Sequence, residues 1–310
     1  MPGRFGRVLT AMATPFRPDG RLDLDGAQRL AGHLLANGTD TIVVAGTTGE
    51  SPTLTAAERE RLTRAVVEVA GGERVMAGTS TYSTAESIEL SELAAKNGAG
   101  ALLLVTPYYN KPPQAGLVAH FTAVAAATGL PCMLYDVPSR TNVQMQVDTV
   151  LRLAEEPNIV AIKDAVGDMA AASRIRKATG GAFEQYSGDD KNLLPLLSVG
   201  GVGVVSVLSH LVGPAINALV AAWEAGDAAT ALRLHLANIE LFEGMFATSS
   251  PILLKAALAE LGLPAGPLRP PLVDATDAQR DFVRQLLARH DVARPVGTGE
   301  PVAAVRSAGD

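Results

Sequence analysis

Cysteine and tryptophan are nearly absent from this chain, with one of each in 310 residues, and all aromatics together make up only 4%. One cysteine excludes an intrachain disulfide, so the fold must rest on its apolar core. Cys132, between Pro131 and Met133 at the start of an apolar run, reads as a small buried hydrophobe. Nothing around it supplies the electropositive setting of a catalytic thiol. No uninterrupted apolar stretch reaches the length of a membrane span, and the segment Met1-Pro2-Gly3-Arg4-Phe5-Gly6-Arg7 lacks the apolar centre of a signal peptide. Blocks of one charge are also missing. The 26 basic and 32 acidic residues leave a net −6 with no Lys/Arg run, which argues against nucleic acid or an anionic membrane as partner. The expectation is a soluble cytoplasmic protein.

Several chemical signatures are absent too. There is no Gly-x-Ser-x-Gly elbow, so a serine hydrolase of that kind is unsupported. No Gly-x-x-x-x-Gly-Lys-Ser/Thr occurs, and Gly98-Ala99-Gly100 and Gly200-Gly201-Val202-Gly203 come before apolar runs instead of after them. The five histidines, His33, His120, His210, His235 and His290, lack metal-ligand spacing, so no metal is expected. Glu50 and Asp164 each have a simpler role as loop braces than as a glycosidase carboxylate pair.

What is present is an alternation of short apolar runs with longer amphipathic segments. Eight candidate strands fall at 8–13, 41–45, 74–77, 101–105, 132–135, 159–163, 183–187 and 202–206. Their near-continuous hydrophobicity suits strands covered on both faces. Between them, Thr55-Ala56-Ala57-Glu58 and Ser83-Thr84-Ala85-Glu86 read as capping boxes. Eight βα units close most simply into a (β/α)8 TIM barrel, with an open doubly wound sheet as the alternative. After the eighth strand the pattern is helical through 208–225, 228–245, 252–261 and 275–289, interrupted by Pro264, Pro267, Pro270 and Pro271. The expected division is a barrel over 1–225, a C-terminal helical appendage over 226–294 and a flexible tail over 295–310.

The most informative residue is Lys163, which closes Asn158-Ile159-Val160-Ala161-Ile162. Burial disfavours an ammonium, so an amine there is a candidate nucleophile for a carbonyl. The competing reading is a lysine whose head reaches water at the strand end. In a TIM barrel the C-terminal strand ends form one mouth, which gathers 46–51, 106–110, 135–141 and 163–165. There Gly46 and Gly49 would let the Thr47 and Thr48 N–H groups approach an anion, unless the segment is an ordinary hydroxyl-rich turn. Tyr135 could act as acid or base beside Lys163, or be a core aromatic with a satisfied hydroxyl. Arg140 offers a bidentate clamp for a carboxylate, or is a solvated loop charge.

GTTGES (46–51), TPYYNKPP (106–113), YDVPSRT (135–141), IKDA (162–165) and SGDD (187–190), in this order, resemble the dihydrodipicolinate synthase family, within the pyruvate-dependent aldolase superfamily that includes N-acetylneuraminate lyase. The match runs from about Gly6 to Arg289. The resemblance implies that Lys163 forms an imine with pyruvate. Tyr135, Thr47 and Tyr109 would relay protons, Tyr109 from a neighbouring subunit. Thr48, with Thr47, would hold the pyruvate carboxylate, the Val205 carbonyl would line the pyruvate pocket, and Arg140 would bind the second substrate, L-aspartate-4-semialdehyde. It further implies a step of diaminopimelate and lysine biosynthesis, no metal or organic cofactor, and a homo-oligomer, a tetramer in the family. Ser51, Glu86 and Tyr108 match a possible allosteric cleft. Ala56, Arg59 and Tyr82 depart from the pattern of members that bind lysine there, which puts inhibition by lysine in doubt. Asp136, where many members have asparagine, is expected to affect loop bracing more than chemistry. Two alternatives stand beside this reading: a sister aldolase or dehydratase acting on a sugar 2-keto acid, and a catalytically silent barrel.

Overall fold

A computed structural model describes residues 3–292. Eight strands, β1 (Val8–Ala11), β2 (Thr41–Val44), β3 (Val75–Gly78), β4 (Ala101–Val105), β5 (Cys132–Asp136), β6 (Ile159–Asp164), β7 (Glu184–Ser187) and β8 (Gly203–Ser206), pair in parallel and in sequence order. The sheet closes through Leu9 opposite Val205, which excludes the open doubly wound alternative. All eight strands lie within two residues of the expected positions. Around them run α1 (Leu24–Ala36), α2 (Ala56–Ala70), α3 (Thr84–Lys96), α4 (Gln114–Ala126), α5 (Pro138–Thr141), α6 (Val147–Leu153), α7 (Met169–Thr179), α8 (Leu193–Ser198) and α9 (Ser209–Glu224), followed by α10 (Ala228–Gly244), α11 (Ile252–Glu260) and α12 (Asp277–Arg289).

The strands are apolar along their length because both faces are covered. Leu9, Val43, Met76, Leu103, Met133, Ala161 and Val205 form an inner cluster, while Val8, Ile42, Val44, Leu102, Leu104 and Leu134 join the helices in an outer one. Alternation along each strand produces the two sets. At the N-terminal end the Phe5 ring lies 6.3 Å from Tyr186, whose hydroxyl donates to Glu184 Oε2 at 3.0 Å and accepts from Phe5 N–H at 3.3 Å. That plug closes the N-terminal end of the barrel interior. Gly203 has no room for a side chain, because a Cβ would strike the Arg7 carbonyl where β8 meets β1. The glycines before this strand thus relieve crowding.

Differences from the sequence reading are local. The Thr55/Glu58 capping box is complete, but Ser83 and Glu86 make only half of one: Ser83 Oγ accepts from Glu86 N–H, while the Glu86 carboxylate accepts from Thr81 Oγ1 at 2.8 Å. A nearer hydroxyl donor wins the carboxylate. The helix expected over 208–225 is broken at Val212 (φ −133°, ψ 33°), two residues before Pro214. The proline ring and its missing N–H prevent continuous helix there. Apolar residues of α10, α11 and α12, including Phe242, Leu254 and Val283, pack into the same outer cluster as the barrel helices. The tail expected over 295–310 lies outside the described residues.

Candidate active site

Tyr135 and Lys163 sit one residue before the ends of β5 and β6, and are direct register partners, so both side chains face the interior at the C-terminal end of the strands. Lys163 Nζ lies 4.1 Å from the centre of the Tyr135 ring. Lys163 is only 5% exposed, and among the described residues it has no hydrogen-bond or ion-pair partner. The side chain therefore does not carry its head out into bulk water. The carboxylates at its own strand end and the adjacent one are turned away from it, because alternation puts Asp136 and Asp164 on the outer face. Asp164 Oδ1 accepts from Val166 and Gly167 N–H at 2.7 and 3.3 Å, the loop brace expected of it. Asp136 Oδ2 accepts from Met145 N–H at 3.0 Å, tying the strand end to the chain beyond α5. Burial pushes the Asp136 carboxyl up to about 7, with the Asp164 charge adding to the effect, and burial raises Asp164 as well.

Thr47 and Thr48 lie in the turn after β2. The left-handed positions of this turn are Ala45 (φ 50°) and Glu50 (φ 55°), and neither Gly46 nor Gly49 is among the residues of positive φ. Gly49 is needed for another reason: a Cβ there would lie 3.1 Å from both the Met12 carbonyl oxygen and Thr14 Oγ1. Thr14 Oγ1 donates to the Gly49 carbonyl at 2.7 Å, closing the turn against β1. Glu50 is buried, and its carboxylate accepts from Lys255 Nζ at 2.6 Å and from Arg269 N–H at 2.9 Å. Bracing by Glu50 was expected, but its partners are far away in sequence and were not. His210 is a second missed brace: its Nε2 accepts from Ala13 N–H at 3.2 Å and its Nδ1 meets the Val207 carbonyl at 2.8 Å, with burial lowering it to about 4.

In the SGDD segment the second aspartate holds β8. Asp190 accepts from Val207 and Leu208 N–H at 3.1 and 3.2 Å and from Ser206 Oγ, and burial raises it to about 6. Val205, fully buried, joins Tyr135 in the inner cluster. Two candidates stand apart on the rim. Tyr109, in the loop after β4, is 90% exposed with φ 73°, and its hydroxyl has no hydrogen-bond partner among the described residues. Arg140, on the one-turn α5, is exposed and has no ion-pair partner among the described residues. Ser51, Glu86 and Tyr108 line a cleft of about 540 Å³ together with Arg59, Tyr82 and Thr81. Arg59 fills part of its wall by donating to the Ser51 and Gly78 carbonyls at 2.6 and 3.0 Å. Cys132 is buried with its thiol pushed up to about 12, which leaves no thiolate for chemistry. Among the described residues, no cluster of three or more His, Cys, Asp or Glu could hold a metal ion, and no helix is long and apolar enough to cross a membrane.

The model of the dihydrodipicolinate synthetase family matches residues 4–290. The chain belongs to this family. It is 55% identical over 288 residues to a 4-hydroxy-tetrahydrodipicolinate synthase of Acidothermus cellulolyticus, covering 93% of both chains. It is 54% identical over 285 residues to 4-hydroxy-tetrahydrodipicolinate synthase 2 of Streptomyces coelicolor, covering 92% of this chain and 95% of that one. Among solved structures, DHDPS from Cyanidioschyzon merolae with lysine bound superposes with a TM-score of 0.91 at 47% identity, covering 93% of this chain and 99% of the other. Membership in the synthetase family agrees with the resemblance drawn from the five motifs and makes the chain an enzyme of the lyase type.

Proposed function

We propose that the barrel mouth condenses pyruvate with L-aspartate-4-semialdehyde to 4-hydroxy-tetrahydrodipicolinate, a step of diaminopimelate and lysine biosynthesis, through an imine on Lys163. The observation that carries the mechanism is an unpaired, buried lysine amine against the ring of Tyr135. Such an amine adds to the pyruvate carbonyl and expels water, giving a protonated imine that serves as electron sink. Loss of a methyl proton yields the enamine, whose carbon attacks the aldehyde to form the new carbon–carbon bond. The semialdehyde amine then attacks the imine carbon, displaces Lys163 and closes the ring.

Each remaining group has a part that its chemistry suits. Tyr135 and Thr47 move protons to and from the adduct, with Tyr109 completing the relay from a second copy of the chain. A tyrosine so exposed and without a partner among the described residues supports donation in trans, and with it a homo-oligomer, for which we take the tetramer. The Thr47 and Thr48 N–H groups receive the pyruvate carboxylate, the Val205 carbonyl lines that pocket, and the Arg140 guanidinium takes the semialdehyde carboxylate. We assign residues 1–225 to the catalytic barrel and 226–294 to the appendage, and place the enzyme in the cytoplasm. The cleft of Ser51, Glu86 and Tyr108 is assigned as a possible allosteric site, with Arg59 weakening the case for lysine as its ligand. The sister reading, a sugar 2-keto acid as substrate, shares Lys163 and Tyr135 but gives Arg140 no task.

Borohydride reduction in the presence of pyruvate tests the mechanism. A stable adduct on the peptide containing Lys163 is expected; an adduct on another lysine, or none, refutes the imine.

A further inference from the structure

The C-terminal segment grips the turn that carries Thr47 and Thr48, and it does so through charges that folding alone does not require. Glu50 adopts a left-handed backbone, a position where glycine or asparagine would be the unstrained choice. Its side chain explains the exception. Both carboxylate oxygens are used, one by Lys255 of α11 and one by the Arg269 N–H, in a pair with side chains 2% and 1% exposed. Lys255 Nζ also donates to the Pro267 carbonyl at 2.8 Å and sits 4.4 Å from the centre of the Phe16 ring, on whose face Arg269 Cζ lies at 4.2 Å. The Arg269 guanidinium continues along the same turn, donating to the Thr53 carbonyl at 2.8 Å and to both oxygens of Glu58 at 2.5 and 2.9 Å. A buried ion pair contributes little net stability compared with an apolar pair of the same shape, so its use here points to geometry.

We propose that Lys255 and Arg269 are positioning residues for the 46–51 turn: by holding the Glu50 carboxylate they set the direction of the Thr47 and Thr48 N–H groups, and so the affinity for the carboxylate of a 2-oxo acid. The inference rests on the proposed reading of that turn as the pyruvate site. It gives the C-terminal appendage an indirect part in substrate binding.

The test uses the full-length enzyme with K255M and the charge-free pair E50Q/K255M. K255M leaves a buried carboxylate without its ion-pair partner; the double variant removes both charges and is expected to recover most of the lost thermal stability. If positioning is the role, the double variant stays impaired despite that recovery, with KM for pyruvate raised about 10-fold, kcat within about 3-fold and KM for the semialdehyde within about 2-fold. Amide exchange over 46–51 is expected to speed up about 10-fold, with exchange in the strands unchanged. Recovery of the pyruvate KM together with stability would overturn the inference, as would unchanged exchange in the turn. Should K255M fail to accumulate as folded protein, the double variant decides alone. Failure of the wild-type enzyme to trap pyruvate on Lys163 would instead sink the functional reading, leaving the exchange result to judge the grip on the turn.

Discussion

Two lysines of this chain are buried to a similar degree, Lys163 at 5% exposure and Lys255 at 2%, and each lies over an aromatic ring, at 4.1 Å from Tyr135 and 4.4 Å from Phe16. Burial and ring contact are therefore shared and cannot explain any difference in role. What differs is the partner. Lys255 has a carboxylate at 2.6 Å and a carbonyl at 2.8 Å, whereas Lys163 has neither among the described residues. Burial lowers the Lys255 ammonium while the Glu50 charge acts to hold it up, so the pair is locked in place. An amine already committed to a carboxylate has no freedom to attack a carbonyl; the inventory of partners separates the structural lysine from the one proposed to react.

The comparison predicts opposite outcomes for the same substitution. K163M should abolish condensation, with a loss on the order of 10⁶-fold as for removal of a covalent nucleophile. Yet it should leave the melting temperature unchanged or raised, because a buried amine with no hydrogen-bond partner among the described residues is replaced by an isosteric apolar chain. Calorimetry beside steady-state rates checks both halves, and a K163M protein that is markedly less stable would show that Lys163 has a structural partner after all. K255M should behave in the reverse sense, losing about 3–5 kcal/mol of stability in denaturant titration because Glu50 is left charged and buried.

Two arginines repeat the contrast on a smaller scale. Arg269 is spent on Glu58, whose carboxyl it holds down at about 2, while Arg140 stands exposed at the rim without an ion-pair partner among the described residues. R140A should leave stability within about 0.5 kcal/mol. It should raise KM for aspartate semialdehyde about 10- to 100-fold, the equivalent of losing a charge-assisted hydrogen bond of about 1.5–3 kcal/mol, with pyruvate trapping on Lys163 intact. Equal loss with both substrates would show that Arg140 does not discriminate between them.

Much of the fold was legible because parallel strands covered on both faces leave unbroken apolar runs, and all eight runs were visible. Lys163 and Tyr135 stood out for the same reason, as polar groups at the ends of such runs. Lys255 did not, since one lysine inside the helical pattern of α11 looks like a solvent-facing residue until the partner 205 positions away is known. His210 and Asp190 were illegible for a related reason: their work is to bind backbone N–H groups of other βα loops, and hydrogen bonding across loops leaves no periodic trace. The left-handed Ala45 and Glu50 were missed because composition points to glycine wherever such backbone is needed, while here tertiary contacts enforce it on other residues.

The smallest effect is expected at Asp136, and it tests why Lys163 is unpaired. If strand alternation truly keeps the Asp136 and Asp164 carboxylates on the outer face, D136N should change turnover by no more than about 3-fold, since an amide can keep the bond to Met145 N–H and no charge serving Lys163 is lost. Its signature should lie in the pH dependence of stability instead. The Asp136 carboxyl is raised to about 7 in the folded protein against 3.8 for the free side chain, so the folded state holds the proton more tightly than the unfolded state. The stabilising contribution is complete below about pH 4 and is lost as pH rises through about 7. Asparagine has no proton to lose, so D136N should gain on the wild type across that window and run parallel above it, by an amount bounded near 4 kcal/mol. His120 and His210, both lowered to about 4 by burial, titrate in both proteins and cancel from the difference. Melting temperatures of the two proteins between pH 4 and 8 decide the matter: a constant gap would mean that Asp136 is ionised throughout, and a hundredfold fall in turnover would mean that its carboxylate reaches Lys163, which would end the distinction between a paired and an unpaired lysine.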